Sequence, residues 1–182
     1  MAPPSDRLSH DEQLLIERAL NSASDTRLLL IEPGLRHAAA NVFSQQFGSH
    51  AAIIVADENS FAAAGRDVRD SLRKNERQTE SFVFGPDVYA DDRCVNQLSA
   101  ALEKYEGIPV AVGAGTINDL TKLAAHRAGR PYMVVATAAS MDGYTAYGAS
   151  ITAKGSKQTF DCPAPRAVLA DLEVIQRAPA AM

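Results

Sequence analysis

Two segments of this sequence hold residues whose types and spacing suit the binding of a phosphorylated ligand. In VAVGAGTINDLTK (110–122) an apolar run stops at Gly113 and Gly115, and a helical pattern begins at once. The first N–H groups of a helix have no partner within it, and together with the positive end of the helix dipole they attract an anion. Glycines remove the side chains that would hold a pyrophosphate away from the backbone. Thr116, with Asp119 three residues on, has the form of a capping box that opens the helix. The pattern departs from the usual dinucleotide fingerprint, whose sixth position is glycine and here is Asn118, and it lacks the Gly-Lys-Ser/Thr ending of a P-loop. By itself, the break leaves a phosphate cradle and a plain strand-to-helix turn both open.

The second segment, MVVATAASMDGYTA (133–146), delivers Thr137, Ala138, Ala139, Ser140, Asp142 and Gly143 in quick succession after an apolar run. Small side chains there let a flat ligand lie against the backbone, although Asp142 before Gly143 also has the form of a turn. A third feature is Asp57, at the end of IIVAD, where an acid commonly bonds the ribose hydroxyls of NAD or caps the helix that follows. The remaining chemical side chains point to structural duties. His10, His37, His50 and His126 lack paired metal spacing, and His126 reads as a partner for a helix C-terminus. Lys122 is expected as a surface partner of Asp119 at i,i+3. Asp171 is expected to cap a helix, and Lys154 and Lys157 to be solvated charges of a hairpin loop. Cys94 and Cys162 form neither a disulfide framework nor a metal knuckle and are expected as buried thiols.

Positioning these residues falls to an alternation of short apolar runs and helical segments. The runs are Leu28 to Ile31, Ala51 to Ala56, Ser81 to Phe84, Ile108 to Val112 and Tyr132 to Ala136. Helical periodicity covers His10 to Leu20, Leu35 to Phe47, Ser60 to Lys74, Asp92 to Tyr105 and Thr116 to Ala128, with Gly34, Gly65, Gly85, Gly107 and Gly129 where elements should end. Runs as continuous as AAIIVA fit strands covered on both faces, so the fold class is α/β, a Rossmann-like, mostly parallel sheet flanked by helices. Beyond Tyr144 the pattern changes to a β-hairpin over Ser150 to Ala153 and Gln158 to Phe160, then a last strand over Ala167 to Ala170 and a helix start at Asp171 to Gln176. In open parallel sheets ligands bind outside the carboxyl ends of the strands, where Asp57, the glycine break and the Thr137 segment all belong.

The bulk properties exclude several classes. At 182 residues the chain fits one domain, and it carries a formal net charge of −4 with pI ≈ 5.5. That balance offers no electrostatic footprint for nucleic acid or an anionic membrane. No apolar run reaches membrane-spanning length, and the leader lacks the basic and apolar regions of a secretion signal, so a cytoplasmic protein is expected.

GAGTINDLTK and RPYMVVATAASMDGYTA, in that order and spacing, resemble the nucleotide-binding half of sn-glycerol-1-phosphate dehydrogenases. These belong to the superfamily of glycerol dehydrogenase, dehydroquinate synthase and iron-type alcohol dehydrogenase. IIVADENSFAAAG and RAVLADLEVIQRAP are also similar to that family, in which the acidic strand end precedes the glycine loop. The resemblance implies binding of NAD or NADP, with Asp57 favouring NAD and a neighbour such as Arg66 able to offset it. It implies that Gly113, Ala114, Gly115, Thr116 and Asp119 contact or shape the pyrophosphate site, that Thr137 and Ser140 line the cofactor, and that Asp142 reaches a polyol substrate. Ala114 replaces a more usual glycine or serine, and Ala146 stands where a cofactor-bonding serine is common. The family's second, helical domain supplies an Asp and two His to a divalent, zinc-type metal, and its motif, expected shortly after APAAM, is absent. The chain is therefore expected to be a single NAD(P)-binding domain over 1–182, inactive by itself and a candidate for homo-oligomer formation. Two other readings stay open, a stand-alone, non-catalytic nucleotide-binding module and a dehydroquinate synthase-like enzyme.

Overall fold

The apolar runs become strands because each can bury both of its faces. In the computed structural model, which describes residues 8–141 and 143–179, the elements in chain order begin with α1 (His10–Ser22), β1 (Leu28–Glu32), α2 (Leu35–Phe47) and β2 (Ala52–Asp57). There follow α3 (Glu58–Ser60), a π-helical turn (Phe61–Gly65), α4 (Arg66–Lys74), β3 (Thr79–Phe84), α5 (Asp92–Lys104), β4 (Ile108–Gly113), α6 (Gly115–Arg127) and β5 (Met133–Ala136). A 3-10 turn (Gly143–Thr145), the antiparallel hairpin β6 (Ala149–Ala153) and β7 (Ser156–Phe160), β8 (Ala167–Asp171) and α7 (Leu172–Ile175) complete the chain. The expected α/β architecture is therefore present: six strands in the order β1-β8-β5-β4-β2-β3, all parallel, with the hairpin as a separate two-stranded sheet.

Successive strand residues point to opposite faces, which splits the interior into two cores. Ile54, Ala56, Val110, Val112 and Val135 pack with Phe43 of α2 and with Val68 and Leu72 of α4. Ile53, Val55, Ala111 and Val134 pack with Val95 and Leu98 of α5 and with Ile117 and Leu120 of α6. The hairpin lies on this second side, burying Ala149 and Ile151 while Thr152 stays exposed. Its turn places Lys154 at φ 52° and Gly155 at φ 79°, the pair of positive angles that twist a two-residue turn to match its strands.

One expected element end is displaced. Gly65 lies within a continuous helical run, between the π turn and α4, where a Cβ would come 2.6 Å from Cδ2 of Phe61. The Phe61 ring takes that space, and the Arg69 guanidinium stands 5.5 Å from its centroid.

The carboxyl end of β8 is fixed by charge. Asp171 is fully buried and caps α7 through the Glu173 N–H, as its sequence position suggests. It also accepts from the N–H groups of Gly34 and Arg36 at the start of α2 and from Nη1 of Arg36 at 2.8 Å. Arg36 further engages Asp67 of α4 and Glu173, so one guanidinium joins α2, α4 and α7. Burial alone would raise the Asp171 carboxyl, but the hydrogen bonds from Arg36 and Gly34 outweigh it and hold the group below the ordinary 3.8. A carboxylate so lowered adds stability that is present above about pH 4 and is lost as pH falls through the folded-state value. Asp171→Asn leaves Arg36 facing a neutral partner, and a loss of about 3 kcal/mol is expected in urea unfolding at pH 7. The gap between wild type and variant should shrink as the pH is lowered below about 4, where the wild type loses its charge too. A gap that stayed constant with pH would show that the charge of Asp171 does not hold this corner.

Candidate functional site

Two neighbouring strands bring the sequence-predicted residues together. β2 and β4 pair in parallel register, Val55 opposite Ala111, and two residues further on Asp57 and Gly113 reach the same level at the carboxyl edge. From there the connections diverge. The chain leaving β2 runs through α4 on one face towards β3, and the chain leaving β4 runs through α6 on the other face towards β5. Divergence of this kind leaves a crevice between the two strand ends, the place where ligands sit in doubly wound sheets.

Asp57 uses one oxygen as a helix cap. Its Oδ1 accepts the N–H groups of Asn59 and Ser60, each at 2.9 Å, and the Ser60 hydroxyl receives the Asp57 N–H in return. The other oxygen has no hydrogen-bond partner among the described residues. Capping and ribose binding are thus compatible at this side chain, since each needs a different oxygen.

The glycine loop has the backbone expected of it, for a reason the sequence did not show. A Cβ on Gly113 would lie 2.6 Å from Cβ of Ile117, and one on Gly115 would lie 2.4 Å from Sδ of Met141. Packing against the branched Ile117 side chain therefore accounts for Gly113, whereas at Gly115 the flexible Met141 side chain can move aside. The capping box also fails to form. α6 begins at Gly115 with Ala114 as N-cap and no side-chain cap, so Thr116 already lies inside the first turn.

The absence of a cap is informative because every other helix that follows a strand is supplied with one. Asp57, Asp91 and Asp171 cap α3, α5 and α7, and Asp171 also serves the first N–H groups at α2. Only α6, among the described residues, opens from a strand end with its first-turn N–H groups unpaired by a side chain. Those donors lie at the crevice. They fit the pyrophosphate of a dinucleotide, whose charge would take the place of the missing cap.

Asp119 and Lys122 are placed differently from the surface pair expected. Asp119 turns to the hairpin, accepting the Ser150 N–H at 3.3 Å, and Lys122 Nζ is 4.0 Å from its Oδ1. Lys122 is 1% exposed and donates to the carbonyls of Ala146 and Gly148. Burial raises the Asp119 carboxyl and lowers the Lys122 ammonium, each offset in part by the charge of the other. A cleft of about 490 Å³ runs beside them, lined by Thr116 and Asp119, by Tyr89 and Asp91 ahead of α5, and by Ser150 and Thr152 of β6. The alternation of Ser150 and Thr152 with Ala149 and Ile151 is the sequence signal that could have marked β6 as a lining strand. Another hollow, of about 470 Å³ and lined by Arg27, Lys122, His126, Arg130 and Arg166, opens at the amino-terminal edge of the sheet.

Thr137 is buried beside the loop, and its N–H donates to the Gly113 carbonyl. Ser140 is exposed further along the same segment. Asp142 lies outside the described residues. Cys94 and Cys162 are both buried free thiols, and His126 lies exposed in the last turn of α6, as expected. Among the described residues no group of three His, Cys, Asp or Glu comes together as a metal site, so the metal implied by the resemblance does not fit the side chains present. No helix among them is long and apolar enough to cross a membrane.

Comparison with known proteins gives a consistent relation. The sequence pattern of the iron-containing alcohol dehydrogenase family matches residues 30–179. The chain is 38% identical over 133 residues to the glycerol-1-phosphate dehydrogenase (NAD(P)+) of Halalkalibacterium halodurans, covering 71% of this chain and 33% of that protein. It is 35% identical over 147 residues to the enzyme of the same name from Pyrococcus furiosus, covering 76% of this chain and 39% of that one. It thus spans about a third of the length of the curated relatives it matches. Among solved structures it is similar to glycerol dehydrogenase from Schizosaccharomyces pombe, with TM-score 0.68 and 27% identity over 79% of this chain and 37% of that one. The NADH-dependent butanol dehydrogenase A of Thermotoga maritima shares the fold, with TM-score 0.75 at 16% identity over 84% of this chain and 44% of that one.

If Met141 is what Gly115 makes room for, the two positions are coupled. Gly115→Ala is expected to cost about 1 kcal/mol more in the wild type than in a Met141→Ala background, as measured by denaturant unfolding. Equal costs in the two backgrounds would show that the thioether does not set the glycine.

Proposed function

The chain belongs to the iron-containing alcohol dehydrogenase family, and on that premise we propose that it is the nucleotide-binding part of an NAD(P)-dependent dehydrogenase of glycerol 1-phosphate or a similar polyol. The observation that carries this reading is the uncapped first turn of α6 at the crevice, level with an acid whose second oxygen is free. Backbone N–H groups at Gly115 and Thr116, reached past Gly113 and Ala114, hold the pyrophosphate. Asp57 takes the adenosine ribose with its free oxygen and favours NAD, because a carboxylate repels the additional phosphate of NADP. Asp119 shapes the site through Ser150 rather than as a cap. Thr137 and Ser140 line the cofactor on the side of β5, and Asp142 reaches the polyol. When bound, the nicotinamide exchanges a hydride with the carbon that bears the substrate hydroxyl. These residues orient the two reactants and keep the pyrophosphate charge on fixed donors, which raises the effective concentration of the reacting pair.

No step is assigned to a metal, because the described side chains do not form a site for one. Turnover then needs ligands from outside the described residues, and the chain by itself is expected to bind without catalysing. A cytoplasmic setting and self-association belong to the same proposal, the setting supported by similarity to the glycerol-1-phosphate dehydrogenases.

The test separates the two duties of Asp57. Calorimetric titration of the chain is expected to show saturable binding of NAD, with NADP weaker. Asp57→Ser keeps a capping oxygen and removes the charge, so it should erase the preference while costing stability no more than about 0.5 kcal/mol. Absence of binding of either dinucleotide by the folded wild type would overturn the proposal.

A further inference from the structure

Helix α6 faces the crevice with its first turn and, with the next, faces the ribbon that leads from the 3-10 turn into β6. Lys122 is buried there, and its Nζ donates to the Ala146 carbonyl at 2.8 Å and to the Gly148 carbonyl at 2.9 Å. One turn earlier on the same face, Asp119 accepts the N–H of Ser150. Alternate residues of the ribbon, 146, 148 and 150, are therefore all held by one face of one helix. The carbonyls of Ala146 and Gly148 precede the ladder of β6 and β7, which begins at Ala149, so no strand partner serves them. A buried ammonium without acceptors is costly, and the two carbonyls satisfy the one on Lys122. The ribbon's course is fixed from its other side by the Gly148 N–H, which donates to the Cys162 carbonyl with Gly148 at φ 86°. Upstream, the Tyr144 hydroxyl donates to the Ala138 carbonyl at 2.9 Å, joining the same stretch to the segment that bears Ser140.

We propose that Lys122 is a positioning residue of the dinucleotide site: by gripping Ala146 and Gly148 it fixes the distance between the pyrophosphate turn of α6 and the ribbon that walls the cleft beside Thr116. The proposal rests on the dinucleotide reading above. It assigns Lys122 no contact with the ligand. Its effect falls on the part of a ligand that reaches past the helix turn to the ribbon, and spares a ligand that needs only the turn and Asp57.

Lys122→Met keeps the stem and removes the ammonium, while Lys122→Arg keeps a cation. ADP, which ends at the pyrophosphate, and NAD, which continues beyond it, are titrated into wild type and both variants after each is shown to unfold cooperatively. In Lys122→Met the Kd for NAD is expected to rise about tenfold, the loss of a hydrogen bond to a charged group, and the Kd for ADP to change by less than about twofold. Lys122→Arg should recover most of the NAD affinity. Equal weakening of ADP and NAD would mean a general structural role, and unchanged affinity for both would mean none, and either result overturns the proposal. Hydrogen exchange of the amides of 143–150 gives a second readout that needs no ligand. Faster exchange there in Lys122→Met, with β2 and β4 unchanged, is expected, and unaltered protection overturns the grip itself. A wild type that binds neither nucleotide sinks the dinucleotide reading, and with it this role of Lys122, whereas the exchange measurement separately reports whether the ribbon is held.

Discussion

The fold turns on one constraint, the requirement that consecutive parallel strands be joined by crossovers which always turn the same way. β2 continues outward to the edge strand β3, and β4, added on the other side of β2, continues towards β5. With one handedness and two directions, the helices must lie on opposite faces, α4 on one and α6 on the other. The ends of β2 and β4 are then an adjacent pair from which the chain departs to opposite sides. A crevice opens between them without any residue being spent on making it. Asp57 and Gly113 occupy that crevice because they are the last residues of those two strands.

What the crevice offers is set by a contrast among helix starts. Four helices that follow strands have their first N–H groups met by a carboxylate, and a fixed negative charge at those positions would repel an anionic ligand. α6 is left open, with Ala114 before it and two glycines that bring Ile117 and Met141 close to the backbone. Backbone N–H groups of a helix turn are fixed donors, which suits a site whose donors must not have to reorganise when charge arrives. The loop is thus explained by packing and usable for binding, and neither account excludes the other.

Polar groups buried elsewhere tie this region to the remainder of the sheet. Arg36 and Asp171 close the carboxyl end of β8 against α2 and α4, while Lys122 and Asp119 close the hairpin against α6. Each cluster satisfies backbone groups that lie outside regular ladders, at the places where the chain leaves the sheet. Such groups must be paired when buried. A charged side chain with several donors or acceptors does this with few residues, and it prescribes one geometry rather than many.

The sequence alone determined which stretches are strands and helices, because burial on both faces writes continuous apolar runs and a helix on one face writes a period near four residues. It also marked Asp57, the glycine break and the Thr137 segment, since strand ends are visible where those runs stop. It did not determine that β4 lies beside β2, and so that Asp57 and Gly113 face one crevice. That pairing joins residues far apart in the chain and is decided by which arrangement buries both cores. Local spacing misplaced Lys122 on the surface and took Thr116 for a cap. Lys122 is governed by a partner remote in sequence, the Gly148 carbonyl, and Thr116 by the position at which β4 hands over to α6. Tertiary packing alone settles such contacts, because the energy of burying an ammonium depends on what comes to cover it.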